Sequence, residues 1–366
     1  MGALTLATLA PRWAWAQAGG DIVIGQSCPT SGPMGSMFSG VIAGQQLALD
    51  ESASQGGVDG RRVKIVTLDD GFDPQRTAAN VRTLAEEQGA IGIFGVVGTA
   101  QAAGALAYLT PKRVPLIASY NGTPSLRGEK FPNHFTTQAS YVDEILTTVR
   151  HQVTVKQTNV GVIYADDAFG KGLFPAVQQA IARAGATLVG SEILEPSGAN
   201  AAEAAKSVAG KSPNAIILLA TGPAVVHCVK ALRAASGAPV YTMSLSVAAD
   251  TIRALGADGR GLMISRVTPY PWNPRTPLAR RFNALMEKAK KPVDYDHFIG
   301  YINTRILLEG LKAANKEYTP QGLMRGMERL GRLDLNGFVL EFGPNKRDGT
   351  NFVDIVMLSA TGRYVR

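Results

Sequence analysis

Cysteine is almost absent: Cys28 and Cys228 are the only two in 366 residues. No Cys-x-x-Cys pair and no His/Cys spacing surrounds them, which excludes a zinc site and a dithiol redox motif. Two thiols this far apart in sequence are read as separate rather than bridged. Charge is also sparse, at 18% of residues. The formal net charge is +8, but the 37 Lys and Arg are dispersed and no basic run interleaves with aromatics. That pattern is a basic solvated surface and excludes a nucleic-acid groove. His134, His151, His227 and His297 are scattered without metal spacing, so no metal is expected. No low-complexity tract or short-period repeat is present, and no later segment offers the roughly 18 apolar residues that a membrane helix needs.

What the chain does have is enough apolar sequence, 45%, to bury a sizeable core, and a length that suits two lobes. Residues 1–16 combine an apolar stretch, Met1 to Ala10, with an Ala14-Trp15-Ala16 cleavage pattern, and read as an export signal. Its basic n-region is missing, which points to a start internal to a longer leader, and no cysteine follows to carry a lipid anchor.

From Asp21 onward short β-rich runs alternate with helical patterns. Strands are expected at Ile22 to Gly25, Val63 to Leu68, Ile91 to Val97 and Val114 to Ala118. Helices are expected at Gly40 to Ser54, from Asp73-Pro74 (an N-cap followed by a first-turn proline) to Gln88, and at Thr99 to Leu109. The rhythm restarts after Tyr141 with a helix to about His151. Strands at Val160 to Tyr164, Thr187 to Ile193, Ala215 to Leu219, Val240 to Met243 and Gly261 to Val267 then alternate with helices at Gly172 to Ala184, Ala201 to Ala209, Ala224 to Ala235 and Ala248 to Leu255. Such β-α alternation implies parallel sheets with helices on both faces. Three prolines in Thr268 to Pro274 mark a crossing segment; helices at Pro277 to Lys288 and Tyr295 to Ala314 and strand-like runs near Phe338 to Phe342 and Phe352 to Leu358 complete the chain.

Several segments in this order carry a family resemblance: Ile24-Gly-Gln-Ser-Cys-Pro-Thr-Ser-Gly-Pro33, Gly56-Gly-Val-Asp-Gly-Arg-Arg-Val-Lys-Ile65, Asp69-Asp-Gly-Phe-Asp-Pro74, Ile93-Phe-Gly-Val-Val-Gly-Thr99, Val114-Pro-Leu-Ile-Ala-Ser119 and, in the second half, Val160-Gly-Val-Ile-Tyr164 with Ala168-Phe-Gly-Lys-Gly172. From about Asp21 to the C-terminus the chain resembles periplasmic ABC-transporter binding proteins of the branched-chain amino acid (Leu/Ile/Val-binding) type. The resemblance implies two doubly wound, Rossmann-like lobes joined by a three-segment hinge, with a ligand held between them. Lobe 1 would be 21–137 plus 268–347, lobe 2 would be 138–267 plus 348–366, and the crossings near Thr136 to Ala139, Val267 to Pro271 and Asp348 to Phe352 would be the hinge. It further implies a monomer in the periplasm with a membrane permease as partner, no cofactor, and closure of the lobes over a small molecule.

In open α/β sheets ligands sit beyond the carboxyl ends of strands. The loop Ser31 to Phe38 offers Met37 or Phe38 as a cleft wall. Gly98 permits close backbone approach, and Thr99 opens a helix whose free N–H groups suit an anion, although capping alone explains a threonine there. By resemblance Thr99 grips a ligand carboxylate, with Ser119, Tyr120, Asn121 and Gly122 beside it. Phe169 is expected to cover the ligand, with Thr221-Gly222 and Ser244-Leu245-Ser246 on later loops. Asp166 and Asp167 are read as a solvated pair capping the next helix. Relatives that bind α-amino acids carry a carboxylate on the loop that is Ser244-Leu245-Ser246 here, and a buried ammonium without a partner costs several kcal/mol. Unless Asp250 supplies that charge, the expectation is an organic acid, aromatic acids included, rather than a standard branched-chain amino acid.

An oxidoreductase reading fails, because Gly25-Gln-Ser-Cys-Pro-Thr-Ser-Gly32 lacks G-x-G-x-x-G. No phosphate-binding P-loop or G-x-S-x-G elbow is present either. The competing reading is a sensor with the same bilobal fold, in which the closable cleft feeds a signalling partner instead of a permease.

Overall fold

The computed structural model describes residues 20–366, apart from the side chains of Pro33 and Met37. The expected export signal, 1–16, lies outside the described residues, as does the proposed Met37 wall. The first half runs β1 (Ile22–Cys28), α1 (Gly32–Ser54), β2 (Val63–Asp69), α2 (Pro74–Glu86), β3 (Ile93–Phe94), α3 (Thr99–Lys112), β4 (Leu116–Ile117) and β5 (His134–Phe135). The second continues with α4 (Tyr141–Thr154), β6 (Asn159–Ala165), α5 (Ala168–Arg183), β7 (Thr187–Leu194), α6 (Ala201–Ala209), β8 (Ala215–Leu219), α7 (Pro223–Ala235), β9 (Val240–Thr242), α8 (Ala249–Leu255) and β10 (Met263–Arg266). Then come α9 (Pro277–Lys288), α10 (Tyr295–Ala313), α11 (Pro320–Arg329), β11 (Arg332–Asp334), β12 (Val339–Glu341), β13 (Asp354–Leu358) and β14 (Tyr364–Val365).

Two sheets result. One is fully parallel in the order β2-β1-β3-β4-β5; the other runs β14-β13-β10-β9-β8-β6-β7, with β13 and β14 antiparallel at its edge. Each sheet is covered on both faces. Ile22, Ile24 and Phe94 pack with α9, α10 and α11 on one side of the first, while Val81, Leu84, Leu106 and Leu109 of α2 and α3 cover the other. In the second sheet, one face carries α6 and α7 and the other α4 and α5. This is the expected two-lobed α/β architecture. Cys28 and Cys228 are free, buried and in separate clusters, one in each lobe.

Several boundaries moved for local reasons. The turn expected from Ser31 to Phe38 is instead the first part of α1. Asp69, at the end of β2, accepts from the backbone N–H groups of Thr30 and Ser31 and from the Ser31 hydroxyl, at 2.8, 3.2 and 2.6 Å, which turns the chain tightly enough for the helix to begin at Gly32. Those donors hold the Asp69 carboxyl well below the ordinary range. The strand expected at Ile91 to Val97 shrinks to two residues, because Gly95 and Gly98 adopt φ of 68° and 97°. The helix expected from Gly172 starts at Ala168, where Asp167 caps it by accepting from Gly170 N at 2.8 Å; Asp166 pairs with Lys171. Phe169 therefore sits in a helix rather than at a loop tip. The run near Phe338 to Phe342 forms β12 of a small separate hairpin, and β5, α11, β11 and β14 had no expected counterpart.

The chain passes between the sheets three times, and Arg127 ties two of those passages together. Its guanidinium donates to Thr136 Oγ1, to the Gln138 and Ala139 carbonyls, and to Asp348 at 2.8 Å, while Thr136 Oγ1 donates to the same carboxylate at 2.7 Å. Arg127 is buried, but the Asp348 side chain is 43% exposed, which discounts the ionic part. Arg127→Gln should therefore cost about 2 kcal/mol, read as a lower urea midpoint. An unchanged midpoint would show that the clamp contributes nothing.

Candidate ligand-binding cleft

Between the two sheets lies a cleft enclosing about 660 Å³ including its open mouth. One wall is built by α1 (Met34, Phe38, Val41), by Val97 and Tyr120 beyond the ends of β3 and β4, and by Tyr295, Asp296 and Ile299 of α10. The facing wall consists of Ser244, Leu245, Val247 and Ala248 after β9 and of Arg266 at the end of β10; Gln138, Val267 and Thr268 close the base where the chain crosses. Phe38 stands edge-on to Tyr120, with ring centroids 4.9 Å apart. The halves meet across the mouth: Ser36 of α1 hydrogen-bonds Asp250 of α8, and Ala249 N donates to Asp296 at 2.8 Å.

Most of the lining is apolar. Its one cation among the described residues is Arg266, 4% exposed and sandwiched between the rings of Tyr295 and Tyr364, at 4.6 and 4.9 Å. The guanidinium donates to the Ser244 and Val247 carbonyls at 3.2 and 3.0 Å and to the Tyr364 hydroxyl, yet its Nε has no hydrogen-bond partner and it forms no ion pair among the described residues. Asp296 is the one carboxylate of the lining among the described residues. Burial, with Asp294 beside it, raises its carboxyl to about 6, against the pull of Ala249 N and Arg266. Beneath the facing wall, Glu144 of α4 is buried and accepts from Ser244 N at 2.9 Å, Ser244 Oγ at 3.0 Å and Ser265 Oγ, so it pins the turn that presents Leu245.

The family model for periplasmic binding proteins matches residues 21–360. The chain belongs to that family. Its members are substrate-binding proteins rather than enzymes. Over 182 residues the binding protein is 26% identical to a Leu/Ile/Val-binding protein homolog from Brucella melitensis, a match spanning 48% of each chain; against the curated relatives it matches, it spans about half their length. It is similar throughout to an extracellular ligand-binding receptor from Verminephrobacter eiseniae (25% identity, TM-score 0.87, 95% of this chain and 100% of that one). It also shares the fold of an ABC-transporter solute-binding protein from R. palustris in complex with benzoate (17% identity, TM-score 0.82, 94% and 95% of the two chains).

Of the residues singled out from sequence, Phe38, Tyr120, Ser244 and Leu245 line the cleft of this binding protein. The others lie beside or behind it. Thr99 Oγ1 meets Thr123 Oγ1 at 2.9 Å and accepts from Asn121 Nδ2 at 3.1 Å, while Asn121 Oδ1 accepts from Thr123 N, so this group forms a closed network at the start of α3. Gly98 caps that helix, and Gly122 packs against Tyr141, which leaves no room for a Cβ. Ser119 hydrogen-bonds buried His134 at 2.7 Å. Burial pushes His134 down to about 4, so it is the neutral imidazole that holds Ser119. Phe169 is buried edge-on to Tyr141 at 5.1 Å. Thr221 and Gly222 form the turn into α7, where Gly222 lies against Met34 of the opposite lobe.

Sequence reasoning missed Arg266, Asp296 and Glu144. A charge inside the apolar run Met263-Ile-Ser-Arg-Val267 was the available signal for the first. Asp296 was inconspicuous because Asp294, two residues earlier, already caps α10. Asp250, considered as a source of negative charge, is taken up by Arg253 and Ser36.

Proposed function

We propose that this protein captures a small ligand with an apolar body and a carboxylate, amino acid or organic acid, in the interlobe cleft and delivers it from the periplasm to the permease of an ABC importer. The observation that carries this reading is an apolar cleft containing a single buried cation, Arg266, with a donor left over and no ion-pair partner among the described residues. An anionic group on the ligand would supply the missing partner. The Leu/Ile/Val-binding name of one relative and the benzoate bound by a fold neighbour both fit an apolar carboxylate. Lobe 1 is taken as 21–137 plus 268–347 and lobe 2 as 138–267 plus 348–366. Gly98, Thr99, Asn121 and Gly122 would form the lobe 1 rim next to Val97 and Tyr120, with Phe169, Thr221 and Gly222 on the lobe 2 rim. Closure would be a population shift towards the state in which ligand touches both lobes.

A thermal-shift screen tests the proposal. Apolar amino acids or apolar carboxylic acids should raise the melting temperature by mass action, and the corresponding amides and alcohols should not. Stabilisation by sugars or amines alone would contradict it.

A further inference from the structure

Arg266 and Asp296 line the same cleft from opposite lobes, one on β10 and the other in the first turn of α10, and no ion pair joins them. Each is left with unmet electrostatic demand. The guanidinium has an unpartnered, buried Nε–H. The Asp296 carboxylate receives one backbone hydrogen bond, from Ala249 on α8, and no cationic hydrogen-bond donor. A buried charge in this condition is costly unless something completes it. The remaining lining carries no charge: Gln138, Ser244 and Thr268 are neutral polar side chains, and most of the rest, including Phe38, Leu245 and Ile299, is apolar.

We propose, building on the function given above, that Arg266 and Asp296 are the paired specificity residues of the cleft: Arg266 takes a ligand carboxylate, Asp296 takes an ammonium, and the preferred ligand is a zwitterion with an apolar side chain. The carboxylate then lies towards lobe 2 and the ammonium towards lobe 1, the reverse of the orientation that the N-terminus of α3 would impose. The hydroxyl at that terminus, on Thr99, is already committed to Asn121 and Thr123, which agrees with this polarity. Asp296 thereby supplies the negative charge that the Ser244-Leu245-Ser246 turn lacks. Because the two residues sit on opposite lobes, a zwitterion bridging them also favours closure.

The groups around Asp296 set how binding depends on pH. Asp294 and His297 flank it on α10, Arg266 faces it from β10, Tyr364 from β14 and Tyr120 from beyond β4, with the Ala249 amide on α8. The carboxyl titrates at about 6, so acidification replaces the ligand ammonium with a proton and weakens amino-acid binding.

The test is calorimetric titration of the full chain with matched pairs of identical carbon skeleton: leucine and 4-methylpentanoate, phenylalanine and 3-phenylpropanoate, and the two amines that lack the carboxylate. Wild type should bind at least one amino acid roughly 10- to 100-fold more tightly than its deaminated acid or its amine. Asp296→Asn, which keeps an acceptor for Ala249, should erase the preference for amino acid over acid and flatten the pH profile between 5 and 7.5. Arg266→Lys should retain part of the affinity and Arg266→Gln should lose discrimination between the amino acid and the amine that lacks its carboxylate, which a purely structural role for the arginine would leave intact. Equal or tighter binding of the deaminated acid to wild type, or an unchanged amino-acid preference in Asp296→Asn, would overturn the inference while leaving capture of an apolar acid standing. Binding of none of these compounds, nor of any other apolar carboxylate, would overturn both.

Discussion

Gly300→Ala is expected to destabilise the protein by about 3 kcal/mol, although alanine in place of glycine within an exposed helix would stabilise it by about 1 kcal/mol. The reversed sign comes from the crossing of α1 and α10. A Cβ on Gly300 would lie 2.1 Å from the Val41 carbonyl oxygen, and one on Gly44 would lie 2.0 Å from the His297 carbonyl oxygen. Both obstacles are backbone, so no side chain can swing aside and the helices must separate. Phe38 and Val41 on one helix and Asp296 and Ile299 on the other all line the cleft, so separation also deforms the ligand wall. Urea unfolding gives the stability change. A midpoint for Gly300→Ala at or above that of wild type would mean that the crossing is not as tight as described.

Glu144→Ala should cost about 3 kcal/mol by a different route. It leaves the Ser244 amide and the Ser244 and Ser265 hydroxyls without their acceptor in a buried setting. The turn carrying Leu245 and Val247 should loosen, so ligand affinity falls together with stability. The pH dependence has a definite sign. Burial pushes the Glu144 carboxyl above its ordinary value, with the serine donors and Arg266 opposing. A raised folded-state value stabilises the fold fully below the ordinary glutamate range, and that contribution is lost as pH rises through the raised value. Glu144→Gln, which cannot ionise, should therefore lie closer to wild type at pH 8 than at pH 4.5 in urea unfolding. The opposite ordering would show that the ionised carboxylate is the favoured form in the fold.

Much of the architecture was legible because β-α alternation is written in apolar runs and caps. Ala201–Ala209, Ala215–Leu219 and Pro277–Lys288 fall at their expected bounds, and Asp73 caps α2 by accepting from Arg76 N. The misplaced starts depended on long-range partners: nothing near Ser31 reveals that Asp69, 38 residues later, will bend the chain there. The cleft was half legible for the same reason. Phe38, Tyr120, Ser244 and Leu245 lie on loops or helix starts beyond strand ends, where the rule for open sheets directs attention. Arg266 and Asp296 could be read only once β10 and α10 were brought face to face, since neither sits in a recognisable motif. With Asp296 unread, Asp250 was the one carboxylate weighed as a substitute for the charge that Ser244-Leu245-Ser246 lacks, and on that ground the expectation was an organic acid.

The central claim is that ligand occupies the cleft between Leu245 and the α1–α10 wall. Calorimetric titration of wild type and Leu245→Trp with the apolar carboxylate that shifts the melting temperature most is the direct test, because Leu245 is only part-buried and an indole there fills the cleft without entering a sheet core. The expected result is saturable one-to-one binding to wild type and at least roughly 100-fold weaker binding to Leu245→Trp, with the two unliganded proteins unfolding at similar temperatures. Undiminished binding to a stably folded Leu245→Trp would place the ligand elsewhere and contradict the account.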